Sequence, residues 1–176
     1  MKQAPYPSGN ERFFDKDDII VSKTDLKGRI EYANRTFMKV GMYDEKELIG
    51  APHSILRHRD MPRCVFKLLW DRIAEGHEVF AYVINRAKNG DYYWVLAHVT
   101  PSYDSSGNIV GYHSNRRVPN PRTVSEIIVP TYKELLRIEE SVPNRNDGMI
   151  AAANFLGNFL KEKQSSYDEF IFALQS

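Results

Sequence analysis

The 176-residue sequence predicts an α+β fold: a five-stranded antiparallel sheet with short helices on one face, followed by C-terminal helices. Three observations predict it. A strand pair surrounds Leu26-Lys27-Gly28, a longer hairpin joined at Asn89-Gly90 runs on into a third strand, and apolar residues at helical spacing fill the stretches between and after these strands.

Ile19 to Asp25 and Arg29 to Ala33 read as two short strands around a glycine turn. Asn34 is placed to cap a short helix carrying Phe37 and Val40, and Asp44 with Glu47 forms a capping-box pattern that Gly50 ends. Pro62 suits the first turn of the next helix, in which Val65, Phe66, Leu69, Trp70 and Ile73 share a face before Gly76 stops it. Val79 to Arg86 and Asp91 to Pro101 are strands around Asn89-Gly90, a pair that tolerates positive φ. A turn at Asp104 to Asn108 leads to a strand from Ile109 to Arg117. Pro119 and Pro121 mark a linker, Ser125 to Val142 has helical spacing, and Pro143 to Gly148 reads as a polar turn. Met149 to Lys163 is the next helix, and Ser166 with Glu169 starts a last one. This divides the chain into an N-terminal cap segment (1–17), a central domain (18–118) and a C-terminal helical extension (119–176).

Composition narrows the function. With 24 basic and 23 acidic residues mixed along the chain, the net charge of +1 lacks the basic footprint of a nucleic-acid binder. Cys64 is the single cysteine, so neither an intrachain disulfide nor a thiolate zinc cage can form, and a reducing cytoplasm is the expected compartment. No window approaches ~18 consecutive apolar residues and no signal peptide is evident, so direct membrane insertion is not expected. No nucleophile with its base, paired acids or metal cluster stands out, so the chain reads as non-enzymatic.

The strands carry the hint of a site. Alternation puts Val79, Ala81, Val83 and Asn85 on one face and the bulkier Phe80, Tyr82 and Ile84 on the other; Val95, Ala97 and Val99 repeat the small face opposite Trp94, Leu96 and His98. An unfilled void costs roughly 24 cal/mol per Å³, so the small face must receive either a closely packed helix or a ligand. Asn85 among valines and alanines needs partners for its amide if buried, which the edge of a heteroaromatic ring would supply. The large face is too apolar to be left in water, so the C-terminal helices, a second copy or another protein must cover it.

The segment Pro52-His53-Ser54-Ile55-Leu56-Arg57-His58-Arg59-Asp60-Met61-Pro62, the Phe66 to Trp70 helix, and Asn85 to Trp94 resemble the PAS domain of the aerotaxis and energy-taxis (Aer-like) receptor family. Asp25-Leu26, Tyr32-Ala33-Asn34, Phe37 and Gly111-Tyr112 extend the resemblance from about Ile20 to Arg117. It implies a PAS fold that encloses FAD; departures from the family pattern leave FMN as an alternative, and the chain's histidines leave haem. Arg57, His58 and Asp60 match the family's cofactor-retaining cluster and Asn85 a flavin-contacting asparagine. Arg57 suits a phosphate or carbonyl, His58 an anionic oxygen or ring, and Asp60 either orients these or caps the following helix. Trp70, Val79, Ala81, Val95, Ala97 and Ser114 are the further cofactor-contact candidates. Two departures stand out: Val79 where an aromatic is often expected, and Arg59 in place of a frequent proline. A haem would take its axial nitrogen from His53, His58, His98 or His113, and Cys64 lacks the surroundings of a light-driven adduct site. The chain looks like the stand-alone, CetB-like member of a split system, signalling in trans to a membrane chemoreceptor or another signalling protein; a homodimer is a further option, and a cofactor-free interaction module is the competing reading.

Overall fold

The computed structural model describes residues 7–175. The N-terminal cap segment expected over residues 1–17 therefore lies partly outside the described residues. Its described part is tied to the domain: Arg12 donates its backbone N–H to the Tyr92 carbonyl (2.7 Å) and its Nε to the Val40 carbonyl (3.0 Å).

Five strands, β1 (Ile20–Thr24), β2 (Ile30–Ala33), β3 (Val79–Arg86), β4 (Tyr92–Tyr103) and β5 (Ile109–Arg117), form one antiparallel sheet in the order β2-β1-β5-β4-β3. Each hairpin turn has a glycine where the chain requires positive φ: Gly28 (φ 72°), Gly90 (φ 96°) and Gly107 (φ 82°). Between β2 and β3 lie α1 (Arg35–Gly41), α2 (Glu45–Leu48), a 3₁₀ turn at His53–Leu56 and α3 (Arg63–Ala74). Asn34 caps α1 by accepting the Phe37 N–H at 3.0 Å, and Glu47 accepts the Asp44 N–H at 3.0 Å to close α2. Pro62 precedes α3 as its cap residue rather than entering its first turn.

The C-terminal part departs from expectation in two places. Pro121 is not linker but the first residue of α4 (Pro121–Thr123), capped by Asn120; a wide π turn (Val124–Ile128) joins it to α5 (Val129–Glu140). Proline at the first helical position sacrifices no hydrogen bond, which is why a residue read as a breaker starts a helix. Pro130 falls in the first turn of α5, directly after the π turn, where a proline is tolerated. The stretch 143–148, expected as a turn, is mostly helix: α6 runs over Arg145–Glu162, with Asn144 accepting from the Asn146 and Asp147 N–H groups. The last helix, α7, spans Tyr167–Ala173.

These helices cover the large face of the sheet. The Tyr132 hydroxyl of α5 donates to the Tyr82 carbonyl at 2.5 Å, Tyr132 also lies against Trp94, and Phe172 of α7 lies against Phe80 at 5.1 Å between ring centroids. Of the three covers weighed from sequence, the chain supplies its own. Among the described residues no helix is long and apolar enough to cross a membrane.

Candidate functional site

On the other face the side chains do not meet. A cavity of about 550 Å³ lies between the sheet and α3, with the 3₁₀ turn completing its wall, a size within the ~300 to 1,000 Å³ of small-molecule sites. Strand register builds its floor: Ser22, Ser114 and Val99 lie in one row across β1, β5 and β4, Ala97 pairs with Arg116, and Thr24 pairs with Tyr112. Leu69, Trp70 and Ile73 of α3 face this floor, because the helical spacing that makes α3 amphipathic turns them to the sheet. Trp70 stands edge-on to Tyr112, with ring centroids 5.6 Å apart, and a Cβ at Gly28 would come within 3.0 Å of the Trp70 ring. Met149 reaches the cavity from α6.

The floor is apolar in area but carries unsatisfied polar atoms. Thr24 Oγ1, Asn85 Nδ2, Ser114 Oγ and Arg116 Nη1 are buried without a hydrogen-bond partner among the described residues, and all four residues line the cavity. Buried polar groups in native proteins are almost always paired, and each orphan costs about 1–3 kcal/mol. All four belong to residues of one cavity wall, where solvent or a ligand with donors and acceptors would satisfy them. The charged side chains on the lining are all cationic: Lys27, Arg57, Arg63, Lys67 and Arg116.

Arg116 is 4% exposed and donates from Nη2 to Ser22 Oγ at 2.9 Å and to His53 Nε2 at 2.6 Å. A guanidinium only donates, so this contact fixes His53 as the neutral ring with its proton on Nδ1. Burial, with the Arg116 charge acting in the same direction, holds the His53 pKa at about 3. An unfolded histidine takes up a proton below pH ~6.5 and the folded His53 does not, so acid favours unfolding. We expect His53→Gln to remove up to about 1.4 kcal/mol per pH unit from the fall in stability between pH 6 and 4. Urea unfolding across that range checks it; identical slopes in variant and parent would overturn the assignment.

The sequence-derived candidates divide. Arg57, Trp70, Asn85, Ala97 and Ser114 line the cavity, and a backbone bridge pairs Arg57 directly with Asn85. Val79, Ala81 and Val95 lie on the same face but are packed solid, outside the cavity lining. His58 is buried away from the cavity, 5.7 Å from the Tyr92 ring, and accepts the Asp60 N–H on Nδ1 at 3.2 Å. The Asp60 side chain is 57% exposed and 3.8 Å from His58. His58 instead lines a second hollow of about 570 Å³ with Arg57, Arg59, Arg63, Arg86 and Arg145, which adjoins the first because Arg57 and Arg63 line both. Cys64 lines neither; burial and the nearby Glu139 carboxylate push its thiol up to about 12. Sequence reading missed Arg116, Ser22, Thr24 and the cavity role of His53. Only the period-2 pattern of β5, which places Arg116 on the face of Ser114, could have pointed to the arginine.

A family profile described as the PAS fold matches residues 14–114. The aerotaxis receptor of Escherichia coli (strain K12) is 37% identical over 157 residues, 89% of this chain and 30% of that protein. The nitrogen fixation regulatory protein of Klebsiella pneumoniae is 24% identical over 122 residues, 63% of this chain and 25% of its own length. The chain thus spans less than a third of either relative. Among solved structures, the dark form of the blue-light photoreceptor Aureochrome1 LOV superposes with a TM-score of 0.56 at 24% identity, covering 65% of this chain and 86% of that one. Its light state gives a TM-score of 0.53 at 25% identity, covering 70% and 91%.

Proposed function

This chain belongs to the PAS-fold family, and on that basis we propose that it is a non-enzymatic sensor module: it holds a flavin, as FAD, in the cavity and passes the state of that ring to a separate signalling protein by contact. The observation that carries the reading is that four residues lining a cavity of about 550 Å³ each carry a buried, unsatisfied polar atom. A heteroaromatic ring with carbonyl and ring-nitrogen edges offers acceptors and donors for all of them. Similarity to the aerotaxis receptor supports the signalling class.

The bound flavin supplies reversible electron transfer. The chain supplies the rest: Asn85, Ser114 and Thr24 hold polar edges of the ring, Leu69, Ile73, Val83 and Val99 exclude water from its faces, and Trp70 closes the mouth. FAD is preferred to FMN because the second hollow, where Arg57, Arg59, Arg63, Arg86 and Arg145 outnumber Glu139 and Glu140, adjoins the ring cavity at Arg57 and Arg63. Arginines on both sides of that junction suit a diphosphate bridging ring and adenosine. Arg57 then belongs to the bridge and His58 to the wall of the second hollow, whereas Asp60 lines neither hollow and stands beside His58 at the surface.

Haem is the weaker reading. Of the histidines, His53 lines the cavity, and its Nε2 is already held by Arg116.

The route outward follows α3. One wall of the cavity is α3, its N-terminus is held by Glu139 of α5, and Met149 of α6 also touches the cavity. We take residues 18–118 as the sensor domain and 119–176 as the extension that presents its state, to a chemoreceptor or other signalling chain in the cytoplasm or across a homodimer.

The test is the absorption spectrum of the freshly purified chain, followed by titration with FAD and FMN. We expect flavin bands, FAD bound at least tenfold more tightly than FMN at low salt, and a drop in FAD affinity of roughly 5- to 100-fold in Asn85→Leu. A Soret band, or no uptake of either flavin, would sink the reading.

A further inference from the structure

Arg116 stands apart from the other cations on the cavity wall. Lys27, Arg57 and Lys67 are exposed and Arg63 is half-buried beside Glu139, so their charges are met by water or a carboxylate. Arg116 is buried, and among the described residues no carboxylate pairs with it. Its partners are neutral: the Ser22 hydroxyl, the unprotonated Nε2 of His53, and the face of Phe37, 5.4 Å from the guanidinium carbon. Tyr93, the titratable group coupled to it from β4, stays a neutral phenol because burial raises its pKa. Even with its own pKa lowered to about 10 by burial, Arg116 is charged at neutral pH. A buried charge with no counter-charge is costly by several kcal/mol, and one Nη is left with no acceptor at all. The missing partner is an anion, and the cavity is the place from which it can come.

We propose that Arg116 binds the negative charge that the flavin ring acquires on reduction, so that the reduced ring is held more tightly than the oxidised one; this rests on the flavin reading above. Two electrons and one proton added to the neutral oxidised ring leave one negative charge on it. A positive charge held close to the ring favours that form. His53 and Ser22 act as positioning residues, since their acceptors fix one Nη and leave the other for the occupant.

The experiment uses the full chain loaded with FAD and reduced stepwise by dithionite, with the midpoint potential read from the spectrum. Arg116→Met is expected to lose at least tenfold of the preference for reduced over oxidised FAD, a fall in potential of about 30 mV or more for a two-electron couple. Arg116→Lys, which keeps a charge, is expected to retain most of it; a purely structural role would not separate these variants. In the unaltered chain the potential should change by about 30 mV per pH unit between pH 5 and 6, one proton per two electrons, rather than about 59. That measurement decides the matter even if Arg116→Met does not fold. An unchanged potential in Arg116→Met, or a slope near 59 mV in the parent, overturns the proposal while leaving the flavin assignment standing. Failure of the parent to take up flavin overturns both.

Discussion

Glu139→Ala is expected to lose about 3 kcal/mol of stability and, with it, the docking of the C-terminal helices on α3. Glu139 is 4% exposed; its carboxylate accepts the Cys64 N–H at 2.8 Å and Arg63 Nε at 3.2 Å. Pro62, in the cap position of α3, has no side chain that can accept, so a carboxylate from another helix does the capping. Removing it orphans a buried N–H and strips a partner from Arg63. Because Arg63 can swing towards water, the cost falls near the low end of the 3–5 kcal/mol typical of broken buried pairs. For a chain of this length that is a fall of roughly 6–12 °C in Tm. Glu139→Gln, which keeps one acceptor, should recover about half. Calorimetry on both variants tests the role, and a loss below 1 kcal/mol in Glu139→Ala would refute it. If α3 transmits the cavity's state outward, Glu139→Ala should also weaken FAD binding, since one wall loses its anchor.

Gly148→Ala should destabilise by about 2–3 kcal/mol, although alanine is the better helix former by about 1 kcal/mol. A Cβ at Gly148 would lie 2.2 Å from the Glu139 carbonyl oxygen and 3.0 Å from its carbon, so α5 and α6 would have to separate. Overpacking against backbone cannot be relieved by a rotamer change. Gly157 lies on the same helix, where an added methyl would meet nothing within 4 Å, and Gly157→Ala should stabilise by about 0.5–1 kcal/mol. The opposite signs on one helix, read by urea unfolding, separate close approach from propensity. Equal effects would mean that the helices are not in backbone contact. Because Glu139 takes part in both contacts, Gly148→Ala and Glu139→Ala should not be additive.

Most of the sheet was legible because its signals are local. Asn89-Gly90 and the Gly28 and Gly107 turns require positive φ, and the alternation of Val79 to Arg86 assigns each side chain to a face whatever surrounds it. The two misread stretches, Pro121 and 143–148, contain residue types that start a helix or break one depending on the segments packed around them. The candidate site was legible in part. Asn85 and Ala97 were placed by periodicity, Arg57 and Trp70 by resemblance and Ser114 as a polar residue of the last strand, and the cavity collects all five. The small face continues to Val79, Ala81 and Val95, yet there the core closes over it. Nothing in the sequence separates Val79, Ala81 and Val95, which are covered, from their cross-strand partners Val99, Ala97 and Val83, which line the cavity.

Which residues are strands, which face of each strand is slim, and the aerotaxis-type motif around Arg57 can all be read from the order of residues alone, because turn chemistry and side-chain alternation act over short distances along the chain. It took the folded arrangement to bring Arg116, His53 and Ser22 together, to cap α3 with Glu139 from 75 residues further on, and to turn His58 towards a different hollow from Asn85. Those outcomes depend on strand register and helix docking, where one residue of slip or a small rotation exchanges one neighbour for another. Burial then turns such meetings into energies, since an arginine that would be ordinary in water becomes a charge in need of a partner once the sheet and α1 close around it.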